Sequence, residues 1–363
     1  MKRILILSHT QAFSDFKIGS HHYANGLSEL GYEVYYSGIS DTIFHKIFKK
    51  EKGQGGYKLN EKVKNLQIKS FFPMTLKNHI IIGFLNALTY KLYNENTRLS
   101  NVFFDVVVCD FPFFAPILSK LKYRKLVYRP TDDYVAMMGD RAISYEDKIC
   151  HLSDVIVATS DIVSKNIKER FKIQKKINVI SNGYDDRHFY CSVQENSLRK
   201  DAIYIGALDF RFDFEALKFL ANNNKKIKFD IFGPITEEFS KKISEFELYE
   251  NVFFHNKIDY ENTNLTMNKY RVGLLLLKNN TSNKGRSPMK LWEYIASGLN
   301  VVYSSIDGVP ESAKLFKYTN FDEMALLFDE AYHSEVVCDD LVLKNHSWSS
   351  KVRKINELLI DEA

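Results

Sequence analysis

The chain has 363 residues, enough for two ordinary domains. Hydrophobic residues make up 45% of it and charged residues 26%, which excludes a broadly disordered polymer. Its 50 Lys and Arg against 45 Asp and Glu leave a formal charge of +5, too small a surplus to indicate a nucleic-acid binder by itself.

Residues 4–7 form a short apolar run suited to a buried parallel strand. A polar loop with Gly19 follows, then a helix over 22–30, closed by Gly31, and a second strand over 34–36. This is a βαβ opening without the close glycine triplet of a dinucleotide site, although Gly19 is a candidate for a phosphate-facing loop. Residues 46–77 then carry nine lysines against Glu51 and Glu61, and end in Phe71-Phe72-Pro73-Met74 before the apolar run 80–85. Two readings fit that stretch: a solvated loop leading into a core helix, or a surface facing an anionic membrane or an acceptor.

Further strands are expected at 105–109, 125–128, 154–158 and 177–180, with helices at 145–152 and 162–171. The second of these strands runs into Arg129-Pro130-Thr131-Asp132-Asp133. Asn182-Gly183 supplies a turn, after which the pattern restarts. Strands at 201–206, 228–232, 252–255, 272–277 and 300–303 alternate with helices, and a last helix covers 349–362. The fold expected is α/β, two Rossmann-like domains facing across a cleft: 1–185, 186–345, and a terminal helical segment 346–363.

Cys109, Cys150, Cys191 and Cys338 show no paired metal-ligand spacing and read as reduced thiols of a cytoplasmic protein. The basic start is followed by too short an apolar run for a signal peptide, and no stretch reaches the roughly 18 apolar residues that span a bilayer. No nucleic-acid recognition module is visible.

The segment 281–298 passes from a polar loop into a helix with Pro288 in its first turn, where a missing amide hydrogen is harmless. The remaining amides and the positive helix end suit an anion. Lys284, Arg286 and Lys290 supply positive donors for a diphosphate, and Glu293, on the same face as Lys290, can accept two ribose hydroxyls. The alternative makes Lys290–Glu293 an ordinary surface ion pair and Met289 a core residue.

The stretch Pro288-Met289-Lys290-Leu291-Trp292-Glu293-Tyr294-Ile295-Ala296-Ser297-Gly298 resembles the donor motif of GT-B glycosyltransferases of the family 4 type. Ser181-Asn182-Gly183-Tyr184-Asp185 is similar to their interdomain element, and the helix 348–359 to the one that returns to the first domain. The resemblance implies a UDP- or GDP-sugar donor, with Met289 in the motif, Lys290 near the phosphates, Glu293 on the ribose, Gly206 approaching the donor and Arg211 as a phosphate ligand. Two departures stand out. Gly285, with Arg286 beside it, occupies the place of a sugar-binding glutamate, and Arg211 is followed by Phe212 and Asp213 rather than a lysine.

The loop Lys17–His22 and the segment Arg129–Asp132 also resemble bacterial glucuronosyltransferases of the xanthan and teichuronic-acid pathways, in which an N-domain aspartate acts as base. For an inverting enzyme the candidates are then Asp132 and Asp133, at a strand end where α/β sites gather polar groups, with a structural turn or helix cap as the alternative. His22 is a candidate for donor or acceptor contact, and His21 and Asp110 are secondary. The expected partners are a nucleotide sugar, a glycan or lipid-linked acceptor and an anionic membrane surface. No metal is expected, because Asp132 and Asp133 are adjacent and badly spaced for chelation. A retaining family 4-type transferase, an epimerase or phosphorylase on the same scaffold, and a non-catalytic sugar-nucleotide or glycan binder are the rival readings.

Overall fold

The computed structural model describes residues 1–14, 16–42, 58–76, 79–192, 198–235, 237–336 and 343–360. Lys46, Lys49, Lys50, Lys52 and Lys77 of the lysine-rich stretch lie outside these residues. The chain divides into two compact units, Met1–Ser181 with Lys351–Ala363, and Asn182–Ser350.

The first unit is built on a parallel seven-stranded sheet. Its strands are β1 (Arg3–Leu7), β2 (Glu33–Ser37), β3 (Lys64–Asn65), β4 (Phe103–Cys109), β5 (Lys122–Tyr128), β6 (Val155–Ala158) and β7 (Ile177–Val179), in the order β3-β2-β1-β4-β5-β6-β7. Ile4 lies opposite both Val34 and Val106, so the central strand is flanked by apolar neighbours on either side. Strands covered on both faces read as unbroken apolar runs, which is why these were visible in sequence.

Among the described residues, the helices of this unit include α1 (Gly19–Glu29), α2 (His79–Leu88), α3 (Asn94–Asn101), α4 (Tyr134–Met138), α5 (Asp140–Leu152) and α6 (Asp161–Arg170). A stretch of 3₁₀ turns, Pro112–Lys120, joins β4 to β5. Gly19 is not in a loop, as the sequence reading had it, but opens α1.

The second unit holds a parallel six-stranded sheet: β8 (Lys200–Ile205), β9 (Phe229–Phe232), β10 (Val252–His255), β11 (Tyr270–Leu275), β12 (Asn300–Tyr303) and β13 (Leu315–Lys317), in the order β10-β9-β8-β11-β12-β13. Its helices include α7 (Phe214–Asn223), α8 (Glu237–Ser244), α9 (Tyr260–Met267), α10 (Thr281–Lys284), α11 (Met289–Ala296) and α12 (Phe321–His333). Asp213 caps α7 by accepting the Glu215 and Ala216 amides, both at 3.1 Å.

Each unit reverses its strand order beside its first strand, β1 in one and β8 in the other. In open α/β sheets the crevice at such a reversal, outside the carboxyl ends of the strands, is where ligands bind.

The last helix, α13 (Trp348–Leu359), belongs to the first unit from Lys351 onward. There the Tyr32 hydroxyl donates to Asn356 Oδ1 at 2.7 Å, and Lys125 Nζ donates to the Leu358 carbonyl at 2.9 Å. Cys109 and Cys150 are free and buried. Cys191 is disulfide-bonded, which corrects the reading of four reduced thiols.

Candidate active site

In the second unit, polar groups collect past the carboxyl end of β8. Gly206 follows the last residue of that strand and its amide donates to the Phe232 carbonyl at 3.0 Å. A Cβ on Gly233, just past β9, would lie 2.0 Å from the Gly206 oxygen, so only glycine lets the two loops approach this closely.

Arg211 lies farther along the loop that Gly206 opens. Its Nε donates to Asp209 Oδ1 at 2.8 Å and its Nη2 pairs with Asp209 Oδ2. The buried Tyr204 hydroxyl donates to the Ala207 carbonyl at 3.0 Å. Burial raises this phenol above its usual range, Asp209 adds to the rise, and Arg211 and Arg286 oppose it. Arg211 and Arg286, 75 positions apart in sequence by their numbers, thus act on one buried side chain.

Helix α11 carries the rest. Pro288 is its N-cap residue, with φ −72 and ψ 126, one position earlier than the first-turn placement expected from sequence. No side chain caps the helix, so its first amides are available to an outside acceptor. The loop before it is held by Asn182, whose amide donates to Ser287 Oγ and whose Nδ2 donates to the Ser287 carbonyl, both at 2.8 Å.

Lys290 and Glu293 form an ion pair one turn apart. It is not an ordinary surface pair, because Glu293 is only 3% exposed. Lys290 Nζ also lies 5.9 Å from the Phe189 ring centroid. Met289 is half-buried. Tyr294, fully buried, accepts the Ile205 amide at 2.7 Å through its hydroxyl. That single bond pins the helix to the end of β8 and brings the Gly206 loop and the Lys290–Glu293 face to one end of the sheet. Gly285 ends α10 and is buried. The combination of cationic side chains, uncapped amides and a buried carboxylate can hold a diphosphate and a vicinal diol.

In the first unit, a second polar cluster sits past the carboxyl ends of β1, β4 and β5. Arg129 is 1% exposed and forks onto Asp110, with Nε to Oδ1 at 2.9 Å and Nη2 to Oδ2 at 2.6 Å. The Ser20 hydroxyl donates to Asp110 Oδ2, and Ser8 Oγ donates to Ser20 Oγ at 3.0 Å. The guanidinium also lies 4.8 Å from the Tyr23 ring centroid. Burial opposes the charge on Arg129, but the Asp110 carboxylate outweighs it and raises the guanidinium above its usual range. Arg129 Nη1 and His9 Nδ1 are buried and have no hydrogen-bond partner among the described residues.

The two adjacent aspartates differ. Asp133 caps α4 by accepting the Ala136 amide at 3.0 Å, and it also accepts Asn166 Nδ2 at 2.8 Å and both ends of the Arg170 fork at 3.1 and 3.2 Å. Burial alone would raise its carboxyl, but the bonds from Arg170, Ala136 and Asn166 bring it below the usual range. Asp132 is half-buried and near enough to His9 to favour its protonation. The loop bearing it is fixed by the Tyr134 hydroxyl, which donates to the Asp110 carbonyl at 2.6 Å, and by Thr159 Oγ1, which donates to the Thr131 carbonyl at 3.0 Å.

The histidines separate in the same way. His21 donates through Nε2 to the Gln11 carbonyl at 2.8 Å and accepts the Ile18 amide through Nδ1 at 3.2 Å, which makes it the neutral Nε2–H tautomer. Burial lowers it to about 4. It holds the loop before α1. His22 is buried on the same helix, three positions after Gly19. His9 was not among the sequence candidates. Its place just after the first strand, where the same strand-end rule had selected Asp132, was the signal available. Burial holds its ring below the usual range, Asp132 and then Asp110 pull it up, and Arg129 adds to the lowering. Among the described residues, no three His, Cys, Asp or Glu side chains are placed to hold a metal ion.

No protein-family model matches the chain. It is 23% identical over 227 residues to TuaH of Bacillus subtilis (strain 168), whose name assigns it to teichuronic acid biosynthesis as a glycosyltransferase; the match spans 57% of each chain. Among solved structures it is similar to sucrose-phosphate synthase from Thermosynechococcus elongatus, with a TM-score of 0.71 and 13% identity over 99% of this chain and 98% of that one. It is also similar to Anabaena HepE in complex with UDP-glucose, with a TM-score of 0.68 and 14% identity over 99% of both chains. Two parallel sheets with flanking helices, matched over nearly the whole length of the chain by these two solved structures, identify its fold as GT-B.

Proposed function

We propose that the chain is a glycosyltransferase that moves a sugar, glucuronate, from a UDP-sugar to a glycan or lipid-linked acceptor with inversion at the anomeric carbon. The observation that carries the reading is the buried Glu293 paired with Lys290 on an uncapped helix, beside the Gly206 loop. On donor binding Lys290 turns toward the diphosphate and Glu293 accepts the two ribose hydroxyls. The HepE complexes with UDP and with UDP-glucose, and the name of TuaH, support this class of donor and reaction.

The acceptor oxygen attacks the anomeric carbon while the bond from that carbon to the diphosphate oxygen breaks, and UDP departs with the bonding electrons. Asp132 takes the hydroxyl proton. Asp132 is preferred to Asp133 for that role because Asp133 already accepts four hydrogen bonds, from Ala136, Asn166 and Arg170. The α11 amides, Lys290, Arg286 and Arg211 stabilise the departing charge, so the reading asks for no metal. Arg286 is placed beside Gly285 and is the partner proposed for a sugar carboxylate.

The alternatives are a retaining transferase on the same donor site and a non-catalytic binder. Gly285, in the place where the retaining enzymes carry a sugar-binding glutamate, favours inversion. A screen of UDP-sugars against membrane lipid extract, with the anomeric configuration of the product read by NMR, separates the three. UDP-glucuronate and an inverted linkage are expected. A retained linkage refutes the mechanism, and UDP binding without any product refutes the enzyme. Asp132→Asn should abolish transfer and leave UDP affinity unchanged; loss of both would make Asp132 structural.

A further inference from the structure

We infer that α2 is a docking helix that lays its outer face into the interface of an anionic lipid bilayer. The helix has two unlike sides. On the inner side Gly83 meets Tyr145 and Pro116, where a Cβ would fall 2.2 Å from the Tyr145 hydroxyl and 2.9 Å from a Pro116 ring carbon. On the same side the buried Asn86 accepts the Phe72 amide and donates to the Phe72 carbonyl, both at 2.9 Å. These contacts hold the helix on the Pro112–Lys120 turns and on α5.

The outer side is apolar and in water. Ile80, Ile81, Phe84 and Leu88 are 65%, 61%, 66% and 68% exposed. Ile80, Phe84 and Leu88 follow at intervals of four, and Ile81 lies three before Phe84 and seven before Leu88, which places all four on one helical face. Leu92, in the following 3₁₀ turn Tyr90–Leu92, extends the row at 77% exposure, and Phe71 and Leu76 are exposed in the chain leading into it. Single exposed apolar residues need no explanation, but a contiguous row of this length marks a contact surface.

Charge decides between occupants. From Lys62 to Asn94 the sequence holds five lysines and no aspartate or glutamate. Of these, Lys62, Lys64 and Lys91 are exposed, with Lys64 paired to Glu33, and the half-buried Lys69 is paired to Glu95. The exposed row consists of Ile, Leu and Phe and lacks the Tyr, Trp and Arg that dominate protein–protein hot spots. An apolar helical face with the exposed Lys62 and Lys91 on either side of it in sequence is complementary to acyl chains beneath negatively charged headgroups. No helix among the described residues is long and apolar enough to cross a membrane, so this surface lies along the interface rather than through it.

The test is vesicle flotation of the full chain, with no donor present, so its outcome is independent of the proposed transfer reaction. Phosphatidylcholine vesicles with and without phosphatidylglycerol are compared for the wild type and for the double variant Ile81→Ser, Phe84→Ser. Both positions are exposed, and an unchanged melting temperature verifies that the variant folds. The wild type is expected to float with the anionic vesicles and to release in high salt, and the double variant to lose about tenfold or more in partitioning. Absence of wild-type binding, equal binding by the variant, or binding unaffected by phosphatidylglycerol would each overturn the inference. So would a wild-type dimer that the same two changes convert to a monomer without any vesicle binding, which would make the face a self-association surface.

Discussion

Glu146 offers a test of the energetics beneath the Asp132 loop. It is fully buried on α5, accepts the Tyr128 hydroxyl at Oε1 at 2.7 Å, and has no partner for Oε2 among the described residues. Burial raises its carboxyl from 4.5 to about 8, the Tyr128 bond acts against the rise, and Asp133 adds to it. The folded chain therefore keeps Glu146 protonated at pH values where the unfolded chain has released the proton. Stability is whole below the unfolded value of 4.5, and falls as pH rises from there to about 8.

Glu146→Gln reproduces the shape and neutrality of the protonated acid and removes that loss. From the two pKa values, the variant gains about 4 kcal/mol over wild type at pH 8, about 2 at pH 6 and almost nothing at pH 4.5. For a domain of this size the gain at pH 8 is about 8–16 °C in melting temperature. Scanning calorimetry of both proteins at the three pH values measures it. His21, which destabilises the fold as pH falls from 6.5 to about 4, is common to both proteins and drops out of the difference. A gain that does not grow with pH, or a glutamine variant less stable at pH 8, would show that Glu146 is held as the carboxylate and that burial is not the governing term.

Two further substitutions probe the two polar clusters. Asp110→Asn leaves the buried Arg129 guanidinium without its carboxylate, and should cost about 3–5 kcal/mol in urea denaturation; a loss below about 1 kcal/mol would mean that the pair is solvated. Glu293→Gln replaces a charged acceptor on the proposed ribose contact, and calorimetric titration should give UDP binding about tenfold weaker or more, with the fold intact. Unchanged or tighter binding would confine Glu293 to neutralising Lys290.

Much of the framework was legible in the chain because it rests on local chemistry. The run Ile4–Leu7 predicts a buried parallel strand because both faces of β1 are covered, and the alternation of such runs with helical periods predicts two α/β halves. Helix α11 was legible for the same reason: Pro288, Lys290 and Glu293 lie within six positions and their relations follow from helical geometry alone, apart from the shift of Pro288 to the cap. The depth at which Glu293 is buried was not local, because it depends on what packs over the helix.

What tertiary structure decided were pairings across long separations and the side of each element that faces water. Asp132 and Asp133 are neighbours of like type, and only one of them, Asp133, is bonded by Arg170 and Asn166, more than thirty positions away. Asp110 and Arg129 become a buried pair because β4 and β5 end side by side, and Tyr294 reaches the Ile205 amide because α11 packs on β11, the neighbour of β8 in the sheet. The apolar run 80–85 states that a face will avoid water, but not what will cover it. Gly83 and Asn86 turn the other side inward, and the row Ile80, Ile81, Phe84 and Leu88 is left outside because no element of the described chain packs over it. Periodicity sets a helix's faces; the neighbours that the fold supplies determine which of them is buried.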